Sequence, residues 1–167
     1  MEAIKKIGIL DSQYLAEYIL ERIGQASHLK LQKLLYYVQA LHLAYFDAPI
    51  IKDEFEAWLH GPVSRKLYNA LKDKSILHTE VMFNPNNVDY SPADIITQNL
   101  TIEQKELIDE VIDGYGVLTS LQLENLSHKE QPWKQARKGV GMSERCTNII
   151  SQESMRTFYK KRLYSNE

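Results

Sequence analysis

The chain of 167 residues has little of what covalent or metal chemistry needs. Its single cysteine, Cys146, excludes an internal disulfide and is typical of a protein in a reducing cytoplasm. A lone cysteine is more often a small buried apolar residue than a nucleophile. The five histidines form no HExxH pattern and no other spacing that pairs ligands on one helix. The sequence therefore predicts neither a metal site nor a cofactor.

Other absences concern location and partners. No apolar run approaches the roughly 18 residues that a membrane span needs, and the N-terminus, MEAIKKIGILDSQ, lacks the apolar core of a signal peptide. The formal net charge is −2, from 20 basic and 22 acidic residues, whereas nucleic-acid-binding domains usually carry a basic excess. We therefore expect a cytoplasmic protein without a membrane partner, and the charge balance disfavours nucleic acid.

Recognisable catalytic motifs are also missing. The sequence contains no glycine-rich loop that could cradle a phosphate and no Gly-x-Ser-x-Gly elbow. Glu54 and Glu56 alternate along an extended segment, which is typical of one solvated strand edge. The sequence therefore predicts a protein that is not an enzyme. The alternative is an enzyme built on the His60 and His128 regions, and a cleft that joins these two histidines would favour it.

What is present predicts a mainly α protein, a single compact helical domain over residues 1–167 with one or two short β segments. A mean hydropathy of −0.38 and an apolar fraction of 44% are ordinary for a globular chain. Apolar spacing and capping residues predict helices at Ser12–Ile23, from after Ser27 to before Pro49, after the capping boxes at Thr101 and Thr119, and after Ser151. The helix that follows Thr101 is expected to break at Gly114 and Gly116. Residues 76–83 are expected to be an edge strand, and 84–94 an exposed loop.

The segment from Leu31 to Tyr68 carries the most information. An apolar stripe along the second helix is followed by the alternating residues Phe55, Ala57 and Leu59, which predict a short strand. A corner at Gly61-Pro62 is then expected to open the next helix, because proline loses no hydrogen bond at a first helical position.

Aromatic residues are abundant, with ten tyrosines and two tryptophans, and both types are enriched at protein interfaces. Tyr36 and Tyr37 lie off the centre of the apolar stripe, so at least one of them should be partly exposed. They either cap the edge of the core or contact a partner. Trp58 is expected in the core, with His60 as a structural hydrogen-bonding residue beside it.

A second block, LENLSHKEQPWKQARKG, begins at Leu123. Here His128, Glu130 and Arg137 are expected to form a polar network around Trp133. Two charged helix faces, an acidic one over 103–113 and a basic one over 156–162, are either solvated surfaces or docking patches for a charged partner.

Together the two blocks resemble the SocA-like, phage-associated family, whose shared unit is called the Panacea antitoxin domain. Several separate motifs occur in the family's order, which makes a chance match improbable. The matching positions are Lys33 to Tyr37, Gln39-Ala40, Ala57-Trp58, Gly61 to Val63 and Tyr68 in the first block, and Leu123, His128, Glu130, Pro132-Trp133 and Ala136-Arg137 in the second.

The resemblance implies a helical fold without known catalysis and a role as an antitoxin that binds and neutralises a toxin encoded beside it. Some members deliver the toxin to a cytoplasmic protease. Many carry an extra DNA-binding segment, for which we expect no room here. The alternative is a phage or prophage structural or regulatory protein that has no toxin, and homo-oligomerisation stays open. The expected partner-binding residues are Tyr36, Tyr37, Gln39, Trp58, His60, Gly61, Pro62, Tyr68, His128, Glu130, Trp133 and Arg137.

Overall fold

A central helix organises the structure, which is a computed structural model that describes residues 6–72 and 79–165. This helix, α2 (His28–Phe46), begins where the Ser27 side chain accepts a hydrogen bond from the Lys30 N–H. It ends at Asp47, which adopts the left-handed conformation. Side chains on all sides of α2 are buried, as expected for a helix that its neighbours surround.

The other helices pack around α2 and confirm the mainly α prediction. α2 contacts α8 (Gln152–Ser165) most extensively, then α5 (Ile102–Tyr115), α1 (Ser12–Ile23) and α6 (Ser120–Lys129), while α4 (Pro92–Asn99) packs on α1. A short 3-10 turn covers Pro85–Asn87. The remaining helices of the described residues are α3 (Arg65–Leu71) and α7 (Gln131–Ala136).

Short strands form two small antiparallel sheets. β1 (Ala26–Ser27) pairs with β4 (Glu80–Val81) in the first sheet. In the second, β2 (Phe55–Trp58) and β3 (Gly61–Ser64) form a hairpin with a two-residue turn, and β5 (Ile149–Ile150) lies on the other side of β2. The strand order of this sheet is β3-β2-β5. The second sheet thus joins the middle of the chain to its C-terminal part.

Most of the predicted helix starts are confirmed. Asp11 caps α1 by accepting from the Gln13 N–H, and Gly24 follows its last residue. Thr101 and Thr119 both form complete capping boxes. These signals are reliable because they depend on side chains only three residues apart.

The predicted helix start at Pro62 is wrong, because Gly61-Pro62 begins β3 and α3 starts only after Ser64. Pro62 lies opposite Ala57, whose N–H donates to the Asn148 carbonyl on the other side of β2. The missing N–H of Pro62 therefore breaks no bond between β2 and β3, and an edge strand tolerates it.

Two further boundaries differ from expectation. The loop predicted to extend through residue 94 ends earlier, because Pro92 occupies the first position of α4 under the Ser91 cap. Of the two glycines expected to break the helix that follows Thr101, Gly114 lies inside α5, and only Gly116 caps its end. Of the edge strand predicted over 76–83, the structure shows Glu80–Val81, whereas 76–78 lie outside the described residues. In the described part of the chain, the helices are too short or too polar to span a bilayer.

Candidate functional site

The paired tyrosines of α2 are buried, so the prediction that at least one is partly exposed is wrong. Tyr36 and Tyr37 are 1% and 0% exposed. The Tyr36 hydroxyl lies 3.1 Å from that of Tyr159 on α8. The apolar stripe of α2 predicts only one covered side of the helix, whereas α8 also covers the side on which Tyr36 and Tyr37 lie.

A buried carboxylate holds this tyrosine cluster together. Glu130 Oε1 accepts hydrogen bonds from the hydroxyls of Tyr37 (2.6 Å) and Tyr159 (2.9 Å), and Oε2 accepts from Arg162 (3.2 Å). Burial raises the pKa of the Glu130 carboxyl despite these donors. We name Tyr36, Tyr37, Tyr159 and Glu130 the tyrosine cluster, and it fastens α8 and the α6–α7 junction to α2.

Trp133 forms a second junction, which attaches α7 to the β2–β3 hairpin. Its ring is stacked on His128, with centroids 4.0 Å apart, and the Arg137 guanidinium lies 4.8 Å from the ring. Trp133 Nε1 donates to the Trp58 carbonyl (2.8 Å). His128 and Arg137 thus lie around Trp133 as predicted, but they contact its ring and form no polar network with Glu130, which belongs to the tyrosine cluster.

Gln39 is another predicted partner-binding residue with a buried side chain. Its Oε1 accepts from the N–H groups of Ile50 and Ile51, and its Nε2 donates to the Ile51 carbonyl. These bonds fix the segment that follows α2. Gln39 is therefore bonded to its own chain through both ends of its amide.

The remaining predicted aromatic residues line a cleft at the surface. Trp58 and Tyr68 are partly exposed there, with their rings edge to face at 5.1 Å, and the buried His28 is stacked behind Tyr68. The prediction of Trp58 as a core residue is therefore only half right. This hairpin cleft has a volume of about 490 Å³, and its lining consists of Trp58, Leu59, His60, Arg65, Tyr68, Arg145, Cys146 and Thr147.

A buried carboxylate also fixes one wall of the hairpin cleft. Arg65 donates to both oxygens of Glu56, at 3.2 and 2.9 Å, and its guanidinium lies 4.8 Å from the Trp58 ring. Trp58 Nε1 donates to the same carboxylate at 2.9 Å. Burial alone would raise the pKa of the Glu56 carboxyl, but the hydrogen bonds from Arg65 and Trp58 outweigh burial, so the pKa is lowered overall. Glu56 is therefore not on a solvated edge, and this expectation is wrong.

An unusual lysine lies behind the hairpin turn. Lys33 is completely buried, and its Nζ finds no hydrogen-bond partner among the described residues. Burial lowers its pKa to about 7, although Glu124 acts in the opposite direction. Gly61, at φ 110°, packs directly against it, since a Cβ there would lie 2.4 Å from Lys33 Cε and 2.9 Å from Ser127 Oγ.

The two histidines of the enzyme alternative both lie near Glu124. His60 Nδ1 is 2.6 Å from Glu124 Oε1, and the Glu124 charge also acts on the pKa of His128, which burial lowers overall. His128 Nε2 is buried without a partner in the part of the chain that the structure describes. Lys33 Nζ and His128 Nε2 are buried, whereas the His60 ring is partly exposed at the hairpin cleft.

Metal ligands are also not brought together. Within residues 6–72 and 79–165, no group of three or more His, Cys, Asp or Glu side chains could hold a metal ion. Cys146 is buried, its Sγ accepts from the Asn148 N–H at 3.4 Å, and it forms part of the floor of the hairpin cleft.

Sequence reasoning missed three residues of this region. Arg65 and Arg145 line the hairpin cleft, and Lys33 lies behind it. Lys33 is among the positions that match the family, but nothing in the sequence around it, HLKLQKLL, indicates that its side chain is buried. Arg145 reaches the cleft from the segment before β5, and nothing local in the sequence indicates that contact.

Comparison with protein families gives one match. A family model described as "Antitoxin SocA-like, Panacea domain" matches residues 31–134. The matched region includes most of α2, the β2–β3 hairpin and Trp133, whereas Arg145 and Tyr159 follow it in the sequence. Comparisons with curated proteins and with solved structures give no match.

Proposed function

We propose, since this chain belongs to the SocA-like antitoxin family that the Panacea domain defines, that it binds a protein toxin encoded nearby and neutralises it by direct contact. In this proposal the chain acts in the cytoplasm and performs no catalysis. The contact surface is the hairpin cleft with its partly exposed residues Trp58, His60 and Tyr68.

The observation that carries this assignment is the rigid presentation of the Trp58 ring. Glu56 holds its indole N–H, Trp133 holds its backbone carbonyl, and Arg65 covers one face of the ring. A fixed aromatic side chain loses little rotamer entropy on binding, and tryptophan is one of the residue types that are enriched among binding hot spots.

The buried members of the predicted set have a supporting role in this proposal. Tyr36, Tyr37, Gln39, Glu130 and Arg137 are occupied by hydrogen bonds or ring contacts within the chain. They fix α8, α7 and the hairpin on α2, and the cleft depends on that arrangement. Gly61, Pro62 and Trp133 are likewise buried, and His128 lies at the edge, stacked on Trp133.

Neutralisation can proceed by two routes, and both start from the same contact. Either the antitoxin occludes the toxin's working surface, or it also delivers the toxin to a cytoplasmic protease. The lifetime of the toxin separates the two routes, because only delivery shortens it when the antitoxin is present.

The experiment is co-expression with each neighbouring reading frame. We expect one neighbour to stop growth alone and the wild-type chain to restore it. Trp58→Ala should restore growth poorly, whereas Tyr45→Ala removes an aromatic ring that is 65% exposed on α2 and should restore it fully. Thermal unfolding of both variants checks that each is folded.

Two results would count against this function. If no neighbour is toxic and rescued, the antitoxin role fails, and light scattering then tests the self-associating alternative. If Trp58→Ala rescues as well as wild type while Tyr45→Ala does not, the contact surface is elsewhere.

A further inference from the structure

We propose that the hairpin cleft recognises an acidic, partly apolar segment of the partner protein, and that Arg145 binds the carboxylate of that segment. The inference rests on the proposed function for the class of partner, a protein. It adds the chemistry of the recognised segment and a residue that lies outside the family match.

The first argument is the charge of the cleft. Its lining contains two arginines, Arg65 and Arg145, and none of its eight residues is acidic. This local excess is opposite in sign to the chain, whose net charge is −2. An interface with complementary charge favours a segment that carries carboxylates.

The second argument is that the two arginines differ. Arg65 is already bonded to both oxygens of Glu56, so its charge is largely compensated. Arg145 is exposed, and within the described residues its side chain makes no hydrogen bond or ion pair. It is therefore the arginine that can still form a two-pronged bond with a carboxylate.

The third argument is that the backbone around Arg145 is fixed. Arg137 donates to the carbonyls of Gly141 (2.9 Å) and Glu144 (2.5 Å), just before it. Just after it, the side chain of Asn148 donates to the Ala136 carbonyl, and its own carbonyl accepts from Ala57. A fixed backbone holds Arg145 at the cleft, so binding has to order its side chain but not the loop that carries it.

The last argument concerns the apolar part of the segment. The cleft is too large for one carboxylate, since its 490 Å³ lies within the range of about 300–1,000 Å³ that is common for ligand sites. The rings of Trp58 and Tyr68 supply the apolar wall. An aromatic or aliphatic side chain beside the acidic one fills this space. A nucleic acid fits less well, because the cleft lining offers one uncompensated arginine, Arg145, whereas nucleic-acid sites usually neutralise several phosphates.

The test uses the two tryptophan indole N–H signals of the full chain in nitrogen-15 NMR spectra. The probe is the capped peptide Glu-Phe-Asp-Leu-Glu, and its counterpart Gln-Phe-Asn-Leu-Gln has the same apolar residues without charge. We expect the acidic peptide to move the Trp58 signal saturably and to leave that of the buried Trp133 in place. The neutral peptide should bind about tenfold more weakly or worse, because it lacks the charge-assisted bonds.

A matched pair of variants locates the site. Arg145→Gln should weaken binding of the acidic peptide about tenfold or more, whereas Arg156→Gln, in the basic patch of α8, should leave it unchanged within about twofold. The absence of a shift up to about 1 mM peptide, or equal binding of the neutral peptide, would overturn the inference. Loss of binding in Arg156→Gln, or displacement of the peptide by a single-stranded oligonucleotide, would overturn it as well.

This result is separable from that of the growth assay. Peptide binding without a rescued toxin retains the cleft and removes the antitoxin role. Rescue that Arg145→Gln does not affect retains the antitoxin role and removes the acidic segment.

Discussion

The tyrosine cluster and the hairpin cleft use similar chemistry in opposite ways. Each combines aromatic rings with a buried carboxylate, Glu130 in one and Glu56 in the other. In the tyrosine cluster all the rings are inside, and the carboxylate joins helices. In the hairpin cleft the carboxylate fixes the Trp58 ring so that part of it faces solvent. In this chain the motif residues therefore divide into buried ones that join the helices and partly exposed ones that line the hairpin cleft.

The largest effect is expected behind the hairpin cleft, at Gly61. Gly61→Ala introduces a Cβ at φ 110° that would lie 2.4 Å from Lys33 Cε, and the enclosed Lys33 has little room to move. We expect a loss of about 3 kcal/mol in the free energy of unfolding, measured by urea denaturation.

Gly139→Ala is the matched control, since Gly139 has φ 86° but nothing within 4 Å of the added Cβ. It should cost only about 1 kcal/mol for the backbone conformation. Equal losses for the two variants would show that Gly61 does not pack closely against Lys33.

A second effect depends on pH and arises from His28, behind the hairpin cleft. Burial, assisted by the Lys33 charge, lowers its pKa to about 4, so the folded state binds this proton less readily than the unfolded state does. Stability from this group is present above the unfolded pKa of about 6.5 and is lost as the pH falls towards 4, by up to about 3 kcal/mol.

Urea denaturation of wild type and His28→Asn at several pH values between 4 and 7 measures this loss. The variant should lose less stability on acidification, while carboxyl groups titrate equally in both proteins. Parallel curves would mean that His28 does not stay neutral in the folded protein.

Tyr37→Phe tests the tyrosine cluster alone. It removes the hydroxyl that donates to Glu130 and leaves a buried carboxylate with one donor fewer, which should cost about 2 kcal/mol. Tyr45→Phe, at an exposed ring, should cost almost nothing. Partner binding by folded Tyr37→Phe should stay near wild type, because this ring supports the surface without forming it. A stability change near zero for Tyr37→Phe would refute the fastening role.

The smallest effect on stability is expected at the cleft. Arg65→Gln removes the ion pair of a half-exposed arginine with Glu56. Glu56 keeps the Trp58 donor and lies at a surface pocket that water can enter, so the variant should cost about 1 kcal/mol in urea denaturation. It should nevertheless weaken partner binding, because the Arg65 guanidinium no longer holds the Trp58 ring in place. A large stability loss without a binding change would reverse the roles that we assign to the two regions.

The sequence predicted what local chemistry controls. The caps at Asp11, Thr101 and Thr119 and the apolar stripe of α2 placed the main helices correctly, because each signal spans only a few residues. Pro62 misled the prediction because proline fits both a first helical turn and an unbonded position of an edge strand. Which one occurs depends on Asn148, which pairs with Ala57 from 91 residues further along the chain.

The candidate site was predicted less completely for the same reason. Motif residues indicated the correct region, but their burial depends on α8 and on the segment before β5. Tyr36 is covered by Tyr159, and Arg145 enters the cleft from outside the two motif blocks. Long-range contacts of this kind leave no periodic signal in the sequence.

Calorimetric titration of the toxin, once growth rescue has identified it, tests most directly whether the hairpin cleft is the surface that it contacts. Trp58→Ala should weaken binding about tenfold or more, as expected for a central aromatic anchor, and Tyr45→Ala should stay within about twofold of wild type. Binding that survives Trp58→Ala and is lost in Tyr45→Ala would contradict this role of the cleft.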